Sequence, residues 1–186
     1  MQITRRFTQA GQSVYDQFEY TLRSSVLRNP DGSVVFQMHD IEVPKGWSQV
    51  ATDIMAQKYF RKAGVPQLDP NGNPLTDESG NPMMGGEQSA RQVIHRLAGC
   101  WTQWGKDHGY FDTQEDAQAF YDENAYILLA QMAAPNSPQW FNTGLNYAYG
   151  ITGPSQGSCS SVFVIVGLLQ SRVGGEVPEV EERLHR

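Results

Sequence analysis

Ser89 to Phe111 reads SARQVIHRLAGCWTQWGKDHGYF, and its apolar residues decide the fold class. Val93, Ile94, Leu97, Ala98, Trp101 and Trp104 recur at steps of three and four, the period at which side chains share one face of an α-helix. Gly105 ends the pattern, so the stretch predicts an amphipathic helix whose two tryptophans pack into a core. Downstream, Thr113 and Asp116 have the spacing of a capping box, and a further helix is expected through Phe120, Tyr121, Ala125, Leu128 and Leu129 toward Pro135. Asp112, Glu115 and Asp116 then stand where acidic groups offset the helix dipole, which favours capping over paired-carboxylate chemistry. Pro135 and Pro138 are expected to hold a short extended segment after this helix.

Upstream, Trp47, Val50, Ala51, Ile54, Met55 and Lys58-Tyr59 repeat the helical period, and Gly64-Val65-Pro66 supplies a stop. Asn29-Pro30-Asp31-Gly32 is a turn signal between the β-favouring runs Ser25-Val26-Leu27 and Val34-Val35-Phe36, so a loose hairpin is expected there. Residues 67–88 are rich in Asn-Gly and Asn-Pro steps and poor in large apolar groups, which predicts a surface excursion. No internal repeat is read. Val162 to Val166 would be a strand buried on both faces, because apolar and polar residues do not alternate in it. The fold class read from these patterns is mainly α with short β segments, an α+β arrangement.

With 186 residues, 39% of them hydrophobic and 11% aromatic, the chain can bury one core. Its net charge of −6 comes from dispersed charges with no basic stripe, which argues against nucleic acid as a partner. The run Val162 to Leu169 is too short to span a bilayer and Met1 to Ala10 does not read as a secretory signal, so a cytoplasmic location without membrane contact is expected. Cys100 and Cys159 lack the paired spacing of a zinc site, and His95 and His108 join no carboxylate or cysteine at ligand spacing, so no metal is expected. Cys100 lies on the helical face between Leu97 and Trp101, where it reads as a small buried hydrophobe. Trp101, Trp104, Tyr110 and Phe111 could form a base-stacking platform, but their helical spacing beside Leu97 and Ile94 favours core packing.

Three long stretches in order, VPKGWSQVATDIMAQKYFRKAGVP (Val43 to Pro66), the Ser89 to Phe111 segment and AAPNSPQWFNTGLNYAYGI (Ala133 to Ile151), resemble the amino-terminal region of vitamin B12-dependent class II ribonucleotide reductases. The similarity runs from near Val14 to Gly157, and Asn136-Ser137-Pro138 followed by Trp140-Phe141-Asn142 is its most telling piece. It implies that residues 1–157 are a helical amino-terminal region that leads, in the full family, into a ten-stranded α/β barrel. The implied enzyme is an adenosylcobalamin-dependent ribonucleoside-diphosphate reductase. A cysteine thiyl radical abstracts the 3′ hydrogen of the ribonucleotide substrate, and two further cysteines, re-reduced by a dithiol such as thioredoxin, supply the electrons.

Ser137 is the substrate-binding candidate, since the resemblance places the serine of Asn-Ser-Pro against the nucleotide. The competing reading is an ordinary turn, because asparagine, serine and proline are all turn residues. No catalytic residue is assigned, for two cysteines cannot supply both a thiyl radical and a redox pair. After Gly157 the sequence departs from the family pattern, so residues 158–186 read as a divergent tail and the match of Cys159 to the first redox cysteine stays open. A frame change, a mispredicted exon and a deliberate truncation are all compatible with that tail. Two functional readings follow: a part of such a reductase that is inactive alone, or a stand-alone non-catalytic helical interaction module derived from it.

Overall fold

The computed structural model describes residues 1–69 and 72–152. The Val162 to Val166 strand, Cys159 and the tail from 158 lie outside the described residues. The α+β reading holds: a long hairpin and a short two-stranded ladder flank a helical core.

Strands β1 (Tyr20–Arg28) and β2 (Val34–Pro44) pair antiparallel from Tyr20 opposite Pro44 to Arg28 opposite Val34. His39 and Asp40 together oppose Ser24, and Asp40 takes a φ of +54°, which makes a bulge. The base of the hairpin enters the core through Ile41 and Val43, with Leu22 exposed at the same level, and Val26, Val34 and Val35 stay exposed nearer the tip. Helix α1 (Gln49–Ile54) opens on Ser48, whose hydroxyl accepts the Ala51 N–H. It runs into a π-turn, Met55–Tyr59, closed by the Phe60 N–H on the Met55 carbonyl at 2.9 Å. The buried face is not the expected one. Thr52, Met55, Ala56 and Phe60 are inside, whereas Val50 and Ile54, expected on the apolar face, are exposed. The helix also stops at Phe60, before the expected Gly64.

Residues 67–88 are largely exposed, as expected, but they are ordered by a repeat that the sequence reading did not find. Asp69 and Asp77 each begin an Asp-x-x-Gly-Asn-Pro unit. In both, the aspartate N–H donates to the asparagine carbonyl at 2.8 Å, and the glycine has positive φ. The glycine N–H in each donates back to the aspartate carbonyl, and Asn29 to Ser33 closes the main hairpin with the equivalent two backbone bonds, so one turn chemistry is used three times. β3 (Val65–Pro66) and β4 (Met84–Gly85) pair at the base of this ladder. Glu87, near its end, is not surface: it is 1% exposed.

Helix α2 (Ala90–Asp107) is capped by Ser89 and Gln92, and α3 (Gln114–Leu129) by the expected Thr113–Asp116 box. α2 buries Ala90, Val93, Ile94, Leu97 and Ala98 in one core with Ala125, Leu128 and Leu129 of α3. The Trp47 indole N–H reaches the Leu129 carbonyl at 2.7 Å and satisfies an orphan acceptor at the end of α3. Of the two α2 tryptophans, Trp101 packs against the core but Trp104 is 45% exposed, while Thr102 and Gly105 on either side of it are buried. The expected extended segment is instead a helix, α4 (Ser137–Asn142), followed by α5 (Leu145–Tyr149). Pro138 occupies the first turn, where its missing N–H breaks no helical bond.

Candidate functional site

Ser137 is the exposed first residue of α4, and a buried charge pair behind that helix fixes its place. Arg96 lies on the apolar stripe of α2 between Val93 and Leu97, and Glu87 stands at the end of the ladder; both side chains are fully buried. Arg96 Nε donates to Glu87 Oε1 at 2.7 Å and Nη2 to Oε2 at 3.3 Å. The remaining guanidinium donors reach the Trp140 carbonyl (2.8 Å), the Thr143 carbonyl (2.8 Å) and the Tyr59 carbonyl (3.2 Å). Glu87 also accepts the Arg61 N–H at 2.7 Å and the Tyr149 hydroxyl at 2.9 Å. Burial, then the neighbouring Glu87 charge, pushes the Tyr149 phenol far above its ordinary pKa, so it stays a donor. A buried pair without its full set of partners would be costly. Here the partners are backbone groups of Tyr59 and Arg61 on one segment and of Trp140 and Thr143 on another, together with the Tyr149 hydroxyl, and the pair ties them together.

Two further features hold α4 against α2. Gly144 has a φ of +79°, and a Cβ there would lie 1.9 Å from the Arg96 carbonyl oxygen, so only glycine lets the chain pass. Trp140, 7% exposed, stacks its ring on Tyr59 at 5.6 Å, and Phe141 meets the same tyrosine at 5.4 Å. The Tyr59 hydroxyl lies 3.1 Å from Ser137 Oγ on the exposed side. The arrangement presents a serine hydroxyl on a rigid support, which suits hydrogen bonding to a ligand acceptor.

The other sequence candidates separate from this place. Cys100 is buried, and burial pushes its thiol pKa up, so it is the packing residue expected and not a nucleophile. Among the described residues no group of three or more His, Cys, Asp or Glu could hold a metal. His95 Nδ1 pairs with the Tyr121 hydroxyl at 2.8 Å, and that hydroxyl with Tyr15 at 2.8 Å. Trp104 and Tyr110 are exposed, while Phe111 packs on Phe120. Asp116 caps as expected and also accepts the Ile3 N–H at 2.8 Å; Glu115 pairs with Arg5, and Asp112 with the amino terminus. No helix of the described residues is long and apolar enough to cross a membrane.

Sequence reading missed Glu87, Arg96, Tyr59 and Gly144. One signal was available: an arginine within the apolar stripe of α2 demands a buried counter-charge.

Comparison with known proteins gives a consistent result. The family profile described as class II vitamin B12-dependent ribonucleotide reductase matches residues 21–131. Vitamin B12-dependent ribonucleotide reductases from Bradyrhizobium diazoefficiens and Agrobacterium fabrum are 53% and 54% identical over 173 residues, covering 84% of this chain and 14% of each relative. The enzyme of the same name from Rhodopirellula baltica is 38% identical over 143 residues, with 77% of this chain and 12% of the relative covered. The chain therefore spans about one seventh of the length of the first two relatives.

Proposed function

The chain belongs to the class II vitamin B12-dependent ribonucleotide reductases, and we propose that it is the substrate-loop-bearing amino-terminal part of such an enzyme. In this reading residues 1–157 form the family's amino-terminal region and lead toward an α/β barrel, with 158–186 a divergent tail. The whole protein converts ribonucleotides to deoxyribonucleotides by adenosylcobalamin-initiated thiyl radical chemistry and is re-reduced by a dithiol such as thioredoxin.

The observation that carries the reading is the Glu87–Arg96 pair. A fully buried pair whose donors end on the Trp140 and Thr143 carbonyls is an expensive way to hold a surface turn. It is understandable if the Ser137 hydroxyl at the front of that turn must be presented to a substrate. Ser137 is accordingly the substrate-binding residue, donating to an oxygen of the ribonucleotide. The described residues do not fit the cobalamin. Two hollows in them measure about 490 Å³ and 200 Å³, the first lined by Lys106, Phe111, Thr113 and Gln114 and the second by Phe36, Arg61 and Lys62. These are volumes for drug-sized molecules or smaller, and a corrinoid is much larger. Cofactor chemistry is therefore assigned to the rest of a complete enzyme. The chain's cysteines agree with this, since only Cys100 and Cys159 are present and Cys100 is buried. Alone, this piece is inactive.

The test is Ser137→Ala in a chimera that joins residues 14–151 to the remainder of a related full-length reductase. Nucleotide affinity should fall by about 1–3 kcal/mol, the scale for losing a hydrogen bond to a charged group. Equal affinity by calorimetry at fixed salt and pH would return Ser137 to the role of a turn residue.

A further inference from the structure

We propose that Tyr59 is the positioning residue for Ser137, fixing the direction of its hydroxyl before the nucleotide arrives; this rests on the reading of Ser137 as the substrate-binding residue. The two hydroxyl oxygens are 3.1 Å apart although 78 positions separate them in the chain. Three observations show that Tyr59 is held in place independently of that bond. Its ring is stacked on Trp140 and tilted against Phe141. Its carbonyl accepts from Arg96 Nη2 at 3.2 Å, so the same guanidinium that holds α4 holds Tyr59. It is also the last residue of the π-turn, whose extra residue lets Tyr59 face α4 while Phe60 enters the core. Such single-turn π segments cost regular hydrogen bonding and are frequent at functional sites.

The chemistry follows from donor and acceptor counts. A serine hydroxyl has one proton and two lone pairs, and in an exposed position it samples several rotamers. When the Tyr59 O–H donates to Ser137 Oγ, the serine proton is left for an acceptor on the ligand, and one rotamer is favoured. The ligand class is an oxygen acceptor of a ribonucleotide, most strongly a phosphate oxygen, because charge-assisted bonds are the stronger kind. Tyr59 acts through Ser137 and need not touch the ligand.

Tyr59→Phe keeps the ring and its stacking and removes only the hydroxyl. The Ser137 couplings are read in the isotope-labelled 186-residue chain, and binding is read in the chimera joining residues 14–151 to the remainder of a related reductase, with ADP as the probe and adenosine and inorganic phosphate as controls. In wild type, the three-bond couplings of Ser137 should report one dominant rotamer, and the chimera should bind ADP more tightly than phosphate or adenosine. In Tyr59→Phe the couplings should average and ADP affinity should fall about threefold to tenfold, the effect of one modest hydrogen bond. The melting temperature should be unchanged, which a merely structural role would not allow. In a Ser137→Ala background, Tyr59→Phe should have no further effect.

Unchanged couplings and affinity in Tyr59→Phe, with Ser137→Ala still weakened, would overturn the positioning role and leave Ser137 standing. Additive losses in the double variant would overturn it too, by showing that Tyr59 meets the ligand itself. Failure of the parent chimera to bind ADP, or equal binding by its Ser137→Ala variant, would remove the reading of Ser137 on which the proposal rests.

Discussion

Replacing Arg96 by methionine removes the cation of a fully buried pair while keeping most of the side-chain volume. Glu87 would then be a buried carboxylate with only the Arg61 N–H and the Tyr149 hydroxyl as hydrogen-bond donors. The carbonyls of Tyr59, Trp140 and Thr143 would lose their guanidinium donors. Breaking one side of a buried pair costs about 3–5 kcal/mol. In a domain of this size that corresponds to a melting temperature lower by roughly 10–15 °C. Part of the loss comes from the stranded carboxylate, so Arg96→Met with Glu87→Leu should be more stable than Arg96→Met alone, by about 1–2 kcal/mol. Urea unfolding followed by tryptophan fluorescence is a suitable assay, since Trp47 and Trp140 are both buried in the affected core. A loss below about 1 kcal/mol for Arg96→Met, or a double variant no better than the single one, would refute the reasoning.

Gly144→Ala should destabilise by about 3 kcal/mol or more, because it adds left-handed strain to a Cβ placed 1.9 Å from the Arg96 carbonyl oxygen; a change under 1 kcal/mol in the same assay would mean that α4 can move freely off α2. His95 gives a pH dependence: desolvation lowers its pKa in the folded chain, so the unfolded chain binds the proton more readily. Its contribution to stability is therefore complete above the ordinary histidine value, about 6.5, and is lost as pH falls through that value. Unfolding measured from pH 8 to pH 5.5 should show this dip in wild type and a shallower one in His95→Gln, and identical profiles would contradict the assignment.

What the sequence made legible was local. The Thr113–Asp116 box, the turn at Asn29 to Gly32 and the apolar stripe of α2 all act within a few residues, so their patterns survive in one dimension. The misreadings share the opposite cause. Helix α1 already buries Thr52 rather than the face whose period put Val50 and Ile54 inside, and the π-turn at Met55–Tyr59 then shifts the register before Phe60. Pro138 suits an extended chain, but a proline in the first helical turn is equally permitted, and that is its place here. Trp104 has the expected spacing, but the buried face at that end of α2 runs through Thr102 and Gly105 instead. For the site, the resemblance supplied Ser137, but its support, apart from the Glu87–Arg96 bond itself, is formed by contacts distant in the chain, 26 positions for Arg61–Glu87 and 78 for Tyr59–Ser137. Only Arg96 among apolar neighbours hinted at them.

The central claim is that this chain is one part of a radical reductase and carries its substrate loop without its redox machinery. The direct measurement is deoxynucleotide formation from a ribonucleotide, with adenosylcobalamin and a dithiol, by the purified chain and by the chimera joining residues 14–151 to the remainder of a related reductase. The account predicts turnover by the chimera and none by the chain alone. Cobalamin- and dithiol-dependent product from the isolated chain, or a folded chimera that makes none, would contradict it.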